Sequence, residues 1–314
     1  MTRTGTAGAR DPRPPLASTR RHAPYTDAGL EIIPMDGPLA AEVRGIDLRQ
    51  PTDARTRKAL NDAWAEHLVL LFRGQHFEND EQLRAIQNFG KLQPPNPRTQ
   101  PSAGEKYPDL LRVQHIPGPA DAAAARRLGA GEAYWHTDMS YIDEPPSGSA
   151  LYAIEVPPDE TGGQTCFSNM YLACETLPDD LRKAVEGCRI VHDAAHNSGG
   201  KLRPGYDEVD DPRKTPGPQH PILRTHPVTG REALFLGRRP YAWFVGAASV
   251  AESEALLDRL WAHASQEQFA WCHHWQPGDI VLWDNRCAMH RRIPFDPSYR
   301  RVMRRAQIAG DRPV

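Results

Sequence analysis

Apolar residues recur along this chain in short, turn-bounded blocks, and the period shifts from two toward 3.6 in only a few places. Residues 30–34 and 41–48 read as two short strands, 54–67 as a helix, 68–72 as a buried strand and 80–89 as a second amphipathic helix. The Pro-rich stretch 94–101 can only be loop. Strand candidates then follow at 149–156, 165–168, 189–192, 222–225, 233–236, 269–274, 280–283 and 302–308. One helix interrupts them, residues 250–264, where Leu256, Leu257, Leu260 and Trp261 form a core-facing stripe. Many short strands with few helices predict a mainly β protein with flanking helices, a jelly-roll or barrel. Residues 118–131 and 198–221 look irregular and exposed, and are lid candidates. Residues 1–28 have no hydrophobic period and are expected to be a disordered tail before a single domain, 29–314. No internal repeat is present.

Composition narrows this picture without changing it. Of 314 residues 39% are hydrophobic and 25% charged, enough for a substantial core, and 30 Pro with 24 Gly suit a turn-rich β body. A net charge of −2 argues against a nucleic-acid partner. Basic clusters do occur at Arg20 and Arg21, in the expected tail, and from Arg300 to Arg305, where they suggest a site. No run approaches the ~18 apolar residues that a membrane span requires. The five cysteines, odd in number and without a Cys-x-x-Cys pair, suggest neither a disulfide framework nor a thiolate zinc site. A cytoplasmic protein is the expectation, and a homo-oligomer is left open.

The segment Tyr134-Trp135-His136-Thr137-Asp138 sets an imidazole and a carboxylate two residues apart, on one face of an extended backbone. Such a pair can grip a metal; with one more histidine it would leave three positions open on iron for a co-substrate and oxygen. Most other histidines have plainer readings. His273 and His274 are adjacent and should face opposite ways, while His192 and His196 with Asp193 read as solvated or capping groups, and His226 as a hairpin residue. Cys287 and His290 have a zinc-like spacing, but no second cysteine pair completes such a site. Arg301 and Arg305, four apart on an expected strand, share a face opposite that of Arg300 and Arg304.

Trp283-Asp284-Asn285-Arg286, then His290, Arg301 and Arg305, resembles the C-terminal signature of the taurine dioxygenase and aryloxyalkanoate dioxygenase (TauD/TfdA) family. Trp135-His136-Thr137-Asp138 resembles its metal-binding pair, Gly162-Gly163-Gln164-Thr165 its Gly-Gly-x-Thr strand, and Arg224-Thr225-His226-Pro227 with Gly230 its central hairpin. Phe72-Arg73-Gly74-Gln75 and Phe89-Gly90-Lys91-Leu92 extend the similarity, which runs from about residue 41 to 310. The resemblance implies a double-stranded β-helix (jelly-roll) with Fe(II) on His136, Asp138 and His290, and 2-oxoglutarate and O2 as co-substrates. It makes Arg301 the clamp for the distal carboxylate of 2-oxoglutarate, a task suited to a permanently charged, two-pronged donor. Thr165 is implied as a hydroxyl partner of the same molecule, and Arg305 as the group that holds an acidic substrate.

The implied activity is hydroxylation of a C–H bond, or a cleavage or desaturation that follows hydrogen abstraction, with release of succinate and CO2; Asp138 stands where halogenating relatives carry a small residue. Taurine-specific members carry a histidine and an asparagine where this chain has Gln93-Pro94-Pro95 and Glu132, and similarity from Leu236-Gly237 to Ala262-His263 leans toward the aryloxyalkanoate branch. A small organic acid, carboxylate or sulfonate, is therefore the expected substrate. The rival readings are a zinc-dependent hydrolase, which would have no need of Arg301 and Thr165, and a jelly-roll binding protein without turnover.

Overall fold

The structure is a computed structural model that describes residues 28–94, 106–117, 134–197 and 200–314. The chain opens with β1 (Glu31–Pro34) and β2 (Ala41–Arg44), then α1 (Ala54–His67), β3 (Val69–Phe72), α2 (Asn79–Ile86), β4 (Leu111–His115) and β5 (Gly148–Glu155). Next come β6 (Thr165–Asn169), two short helices α3 (Met170–Glu175) and α4 (Asp179–Val185), and the strands β7 (Arg189–Val191), β8 (Gln219–Pro221), β9 (Leu223–Thr225), β10 (Glu232–Leu234) and β11 (Trp243–Phe244). The helix α5 (Val250–Ala264) precedes β12 (Ala270–His273), β13 (Ile280–Asp284), β14 (Ala288–Arg292) and β15 (Arg301–Ile308).

Seven strands form the main sheet in the order β1-β2-β3-β13-β5-β15-β4, and β12-β6-β14 form a second sheet. The central strands β3 and β13 are buried along their whole length, which is why they read as unbroken apolar runs. Their alternate residues feed two cores. Leu70, Phe72, Ile280 and Leu282 face a core roofed by Leu60 and Trp64 of α1 and Ile86 of α2. Val69, Leu71, Val281 and Trp283 face the other core, filled by Phe167 of β6, Met289 of β14 and Leu257, Leu260 and Trp261 of α5. A side-chain cap starts each long helix: Asp53 accepts from the Thr56 amide and Ser249 from the Glu252 amide. No helix among the described residues is long and apolar enough to cross a membrane.

Several elements differ from expectation for local reasons. Leu68 is no strand residue; it ends α1 with φ +64, its amide on the Trp64 carbonyl. Residues 41–48 shorten to β2, which stops before Gly45 (φ +81). The expected strand 222–225 forms as β9 without Ile222, and an unexpected strand, β8, lies just before it in a different sheet. The short helices α3 and α4 and the strands β4, β11 and β14 were not expected at all. Within residues 200–221, Arg203, Pro216 and Pro218 are joined by backbone hydrogen bonds to Ala195, Ala194 and His192. The segment 118–131 and the tail 1–27 lie outside the described residues.

The cysteine expectation is corrected. Cys166 and Cys272 stand directly opposite each other on β6 and β12 and are disulfide-bonded across a sequence separation of 106 residues. Spacing along the chain carries no trace of a partnership made by strand register.

Candidate metal centre

His136 and His290 are brought side by side by an isolated antiparallel bridge: each amide donates to the other's carbonyl, at 3.0 and 2.9 Å. Their rings lie 4.2 Å apart, and the Nε2 of each is 3.8 Å from Asp138 Oδ1. All three side chains are buried, and their ligand atoms lie within 4.8 Å of one another. A separation of 3.8 Å is too long for a hydrogen bond, yet it suits donors that share one cation at about 2.1 Å each. His136 Nδ1 faces the Tyr134 carbonyl at 2.9 Å and must donate to it, which leaves the Nε2 lone pair directed at the shared point.

Asp138 is held from several sides. Burial opposes its charge, but Arg305, His290, His136 and Ser149 outweigh burial and keep the carboxyl well below the ordinary carboxylate range. Arg305 Nη1 bonds its two oxygens at 3.0 and 3.2 Å, Ser149 Oγ donates at 2.8 Å and Gln307 Nε2 at 3.3 Å. The backbone is held equally firmly. Asn285 Oδ1 accepts the Asp138 amide, and its Nδ2 donates to the Asp138 and Pro146 carbonyls, all at 2.9 Å. The Thr137 amide, between the two ligands, donates to the Gly237 carbonyl at 3.0 Å. Gly237 has φ +66, and a Cβ there would lie 2.1 Å from His192 Nδ1, so no other residue fits.

The other expected site residues come from β15 and β6. On β15, Arg305 and Gln307 face Asp138, while Arg304 turns to the Phe77 carbonyl and Asn79 on the opposite side. Thr165 pairs with Arg292 and Phe167 with His290, so Thr165 lies on the His290 face, two residues along. It accepts from Trp275 Nε1 at 3.0 Å and is buried. Arg301, 3% exposed, pairs with His115, whose ring is 5.5 Å from that of Phe295. Arg292, the strand partner of Thr165, lies 5.0 Å over the same Phe295.

A second group, His226, Asp284 and Cys287, has the same compactness but is saturated. His226 Nδ1 accepts the Val228 and Thr229 amides at 3.2 Å, and Nε2 donates to Asp284 at 3.0 Å. Arg286 takes both oxygens of Asp284, and burial pushes the Cys287 thiol up, so no lone pair is offered to a metal. This network braces the turn between β13 and β14, which presents His290. His226 does sit in the hairpin, but its buried pairing with Asp284 was not foreseen. His192 and His196 are buried, not solvated as expected. Asp193 does cap, accepting from the Ala195 and His196 amides. His273 is buried on Asp279, while His274 is exposed on Asp159.

Comparison with known proteins agrees with this geometry. The family described as Taurine catabolism dioxygenase TauD, TfdA family matches residues 31–307. An (S)-phenoxypropionate/alpha-ketoglutarate-dioxygenase of Sphingobium herbicidovorans is 34% identical over 90% of this chain and 95% of its own. An alpha-ketoglutarate-dependent 2,4-dichlorophenoxyacetate dioxygenase of Cupriavidus pinatubonensis is 35% identical over 88% of this chain and 97% of its own. The solved structure of AAD-2 in complex with Mn(II) and N-oxalylglycine superposes with a TM-score of 0.75, at 31% identity, over 90% of this chain and 98% of that one.

Proposed function

We propose, from the premise that the chain belongs to the TauD, TfdA dioxygenase family, that it is an Fe(II)- and 2-oxoglutarate-dependent dioxygenase that hydroxylates a C–H bond of a small organic acid. The observation that carries this is the buried His136, Asp138, His290 group, whose donor atoms lie too far apart to bond one another and near enough to share a cation. The two facing sheets fit a jelly-roll, with residues 29–314 as one domain.

Bound there, iron and 2-oxoglutarate supply the oxidising chemistry, in which decarboxylation to succinate and CO2 is coupled to oxidation of the substrate by O2. The rest falls to this chain's own groups. Arg301 holds the distal carboxylate of the co-substrate, and Thr165, oriented by Trp275, contacts the same molecule. The Tyr134 carbonyl fixes the His136 tautomer, and Asn285 and Gly237 fix the backbone on which the pair is mounted. Arg305 keeps Asp138 ionised and stands at the substrate's edge of the centre, where it also meets the acidic group. The phenoxy acids in the names of two relatives support an apolar body bearing a carboxylate. A sulfate ester dioxygenase of Pseudomonas putida, 30% identical, keeps sulfur-based acids in the substrate class.

The test is anaerobic addition of Fe(II) and 2-oxoglutarate to the purified protein, read by the weak visible charge-transfer band of the chelate. The band is expected in the wild type and weakened in Arg301→Ala. A folded, iron-loaded protein that gives no band would defeat the proposal.

A further inference from the structure

Two consecutive arginines beside the metal ligands have opposite fates. Arg239 is paired with two carboxylates of α5, Glu254 at 2.7 Å and Asp258 at 2.6 Å. Arg238 has no such partner. Among the described residues its guanidinium has one acceptor, the Asn197 carbonyl, and no carboxylate within ion-pair distance. Its position is fixed by Gly237, whose carbonyl holds the Thr137 amide between two ligands of the centre. A second guanidinium stands close by: Arg203 donates to the Ala194 carbonyl at 3.0 Å and stacks 3.6 Å from the ring of Tyr141, three residues beyond Asp138. The nearest acid on this segment, Asp193, is already occupied by His196 and two amides.

Burial weakens the charge on Arg238 and Arg203 opposes it further, while Asp193, Tyr141 and Asp138 favour it. Two neighbouring guanidinium groups satisfied mainly by carbonyls are costly unless an anion joins them. The charge of Arg305, by contrast, is already balanced by Asp138.

We propose that Arg238, backed by Arg203, is a specificity-determining residue that binds the carboxylate or sulfonate of the substrate beside the segment that carries His136 and Asp138, and shares that anion with Arg305. The proposal rests on the dioxygenase reading above. A charged group held this way is selected over its neutral isostere, because the neutral compound leaves both guanidinium groups uncompensated.

The test uses the full chain, loaded anaerobically with Fe(II) and 2-oxoglutarate, and calorimetric titration with phenoxyacetate and its neutral counterpart phenoxyethanol. In Arg238→Gln, phenoxyacetate affinity should fall roughly ten- to hundredfold, with phenoxyethanol affinity held within about twofold. Arg238→Lys should recover part of the loss, since it restores charge without the planar fork. Equal loss of both ligands would make Arg238 a structural residue and overturn the proposal, as would unchanged phenoxyacetate affinity or a wild type with no preference for the acid. The chelate band separates the two readings. If it is present in all three proteins, a failure belongs to Arg238; if absent from all, the dioxygenase reading fails and this one with it.

Discussion

Replacing Asn285 by Ala removes three hydrogen bonds of 2.9 Å and leaves the Asp138 amide, the Asp138 carbonyl and the Pro146 carbonyl without that partner in a buried setting. An orphaned buried polar group costs about 1–3 kcal/mol, and a water entering the vacated space recovers part of that. The expected sum is about 3 kcal/mol, or a fall in Tm of roughly 5 °C for a chain of this size. Asn285 touches no metal, but it mounts one ligand, so a second effect follows. Iron at 100 times its Kd stabilises a protein by about 2.7 kcal/mol; if affinity falls tenfold, the same iron gives about 1.4 kcal/mol. Differential scanning calorimetry of apo and Fe(II)-loaded protein reads both quantities. The apo Tm should drop, and the gap between apo and loaded forms should narrow. An apo fall below about 2 °C, or an unchanged gap, would refute the claim that Asn285 positions Asp138.

Burial lowers the pKa of His220 to about 4, against backbone hydrogen bonds to Ile142 and Ser140 that raise it. The unfolded chain therefore takes up this proton first: stability is full above about 6.5, declines as pH falls toward 4, and the total loss is about 3 kcal/mol. Urea unfolding at pH 7.5, 6 and 5 checks this, and a flat profile would contradict it. The Cys166–Cys272 bond predicts that only three of five cysteines react with a thiol reagent in the denatured, unreduced chain, and that Cys272→Ser costs about 2–4 kcal/mol. Five reactive thiols would dismiss it.

What the sequence made legible follows from the range over which each signal acts. His136 and Asp138 are two residues apart on extended backbone, so their shared face is a local property. Asn285 is 147 and 139 residues from the backbone groups of Asp138 and Pro146 that it holds, and nothing in its surroundings in the chain names them. The strand β14 was missed because Ala-Met-His-Arg-Arg has no apolar alternation; its arginines are accommodated by Trp135 at 4.8 Å and Phe295 at 5.0 Å, contacts that only the folded chain supplies. Arg238 and Arg239 are alike in sequence, and only their partners in space tell them apart. Central strands were read well because burial on both faces leaves an unbroken apolar run.

The order of the main sheet also sets a timetable for its assembly. Both neighbours of β5 (148–155), namely β13 and β15, come from residues 280–308, and β13 is also what joins β3 to that half of the sheet. During synthesis β3 and β5 therefore emerge with bare, apolar edges that stay unpaired until about nine-tenths of the chain has left the ribosome. Such edges invite pairing with other chains. The same late segment brings His290, Arg301 and Arg305, so a chain cut short before it would lack the centre of its sheet as well as the means to hold iron.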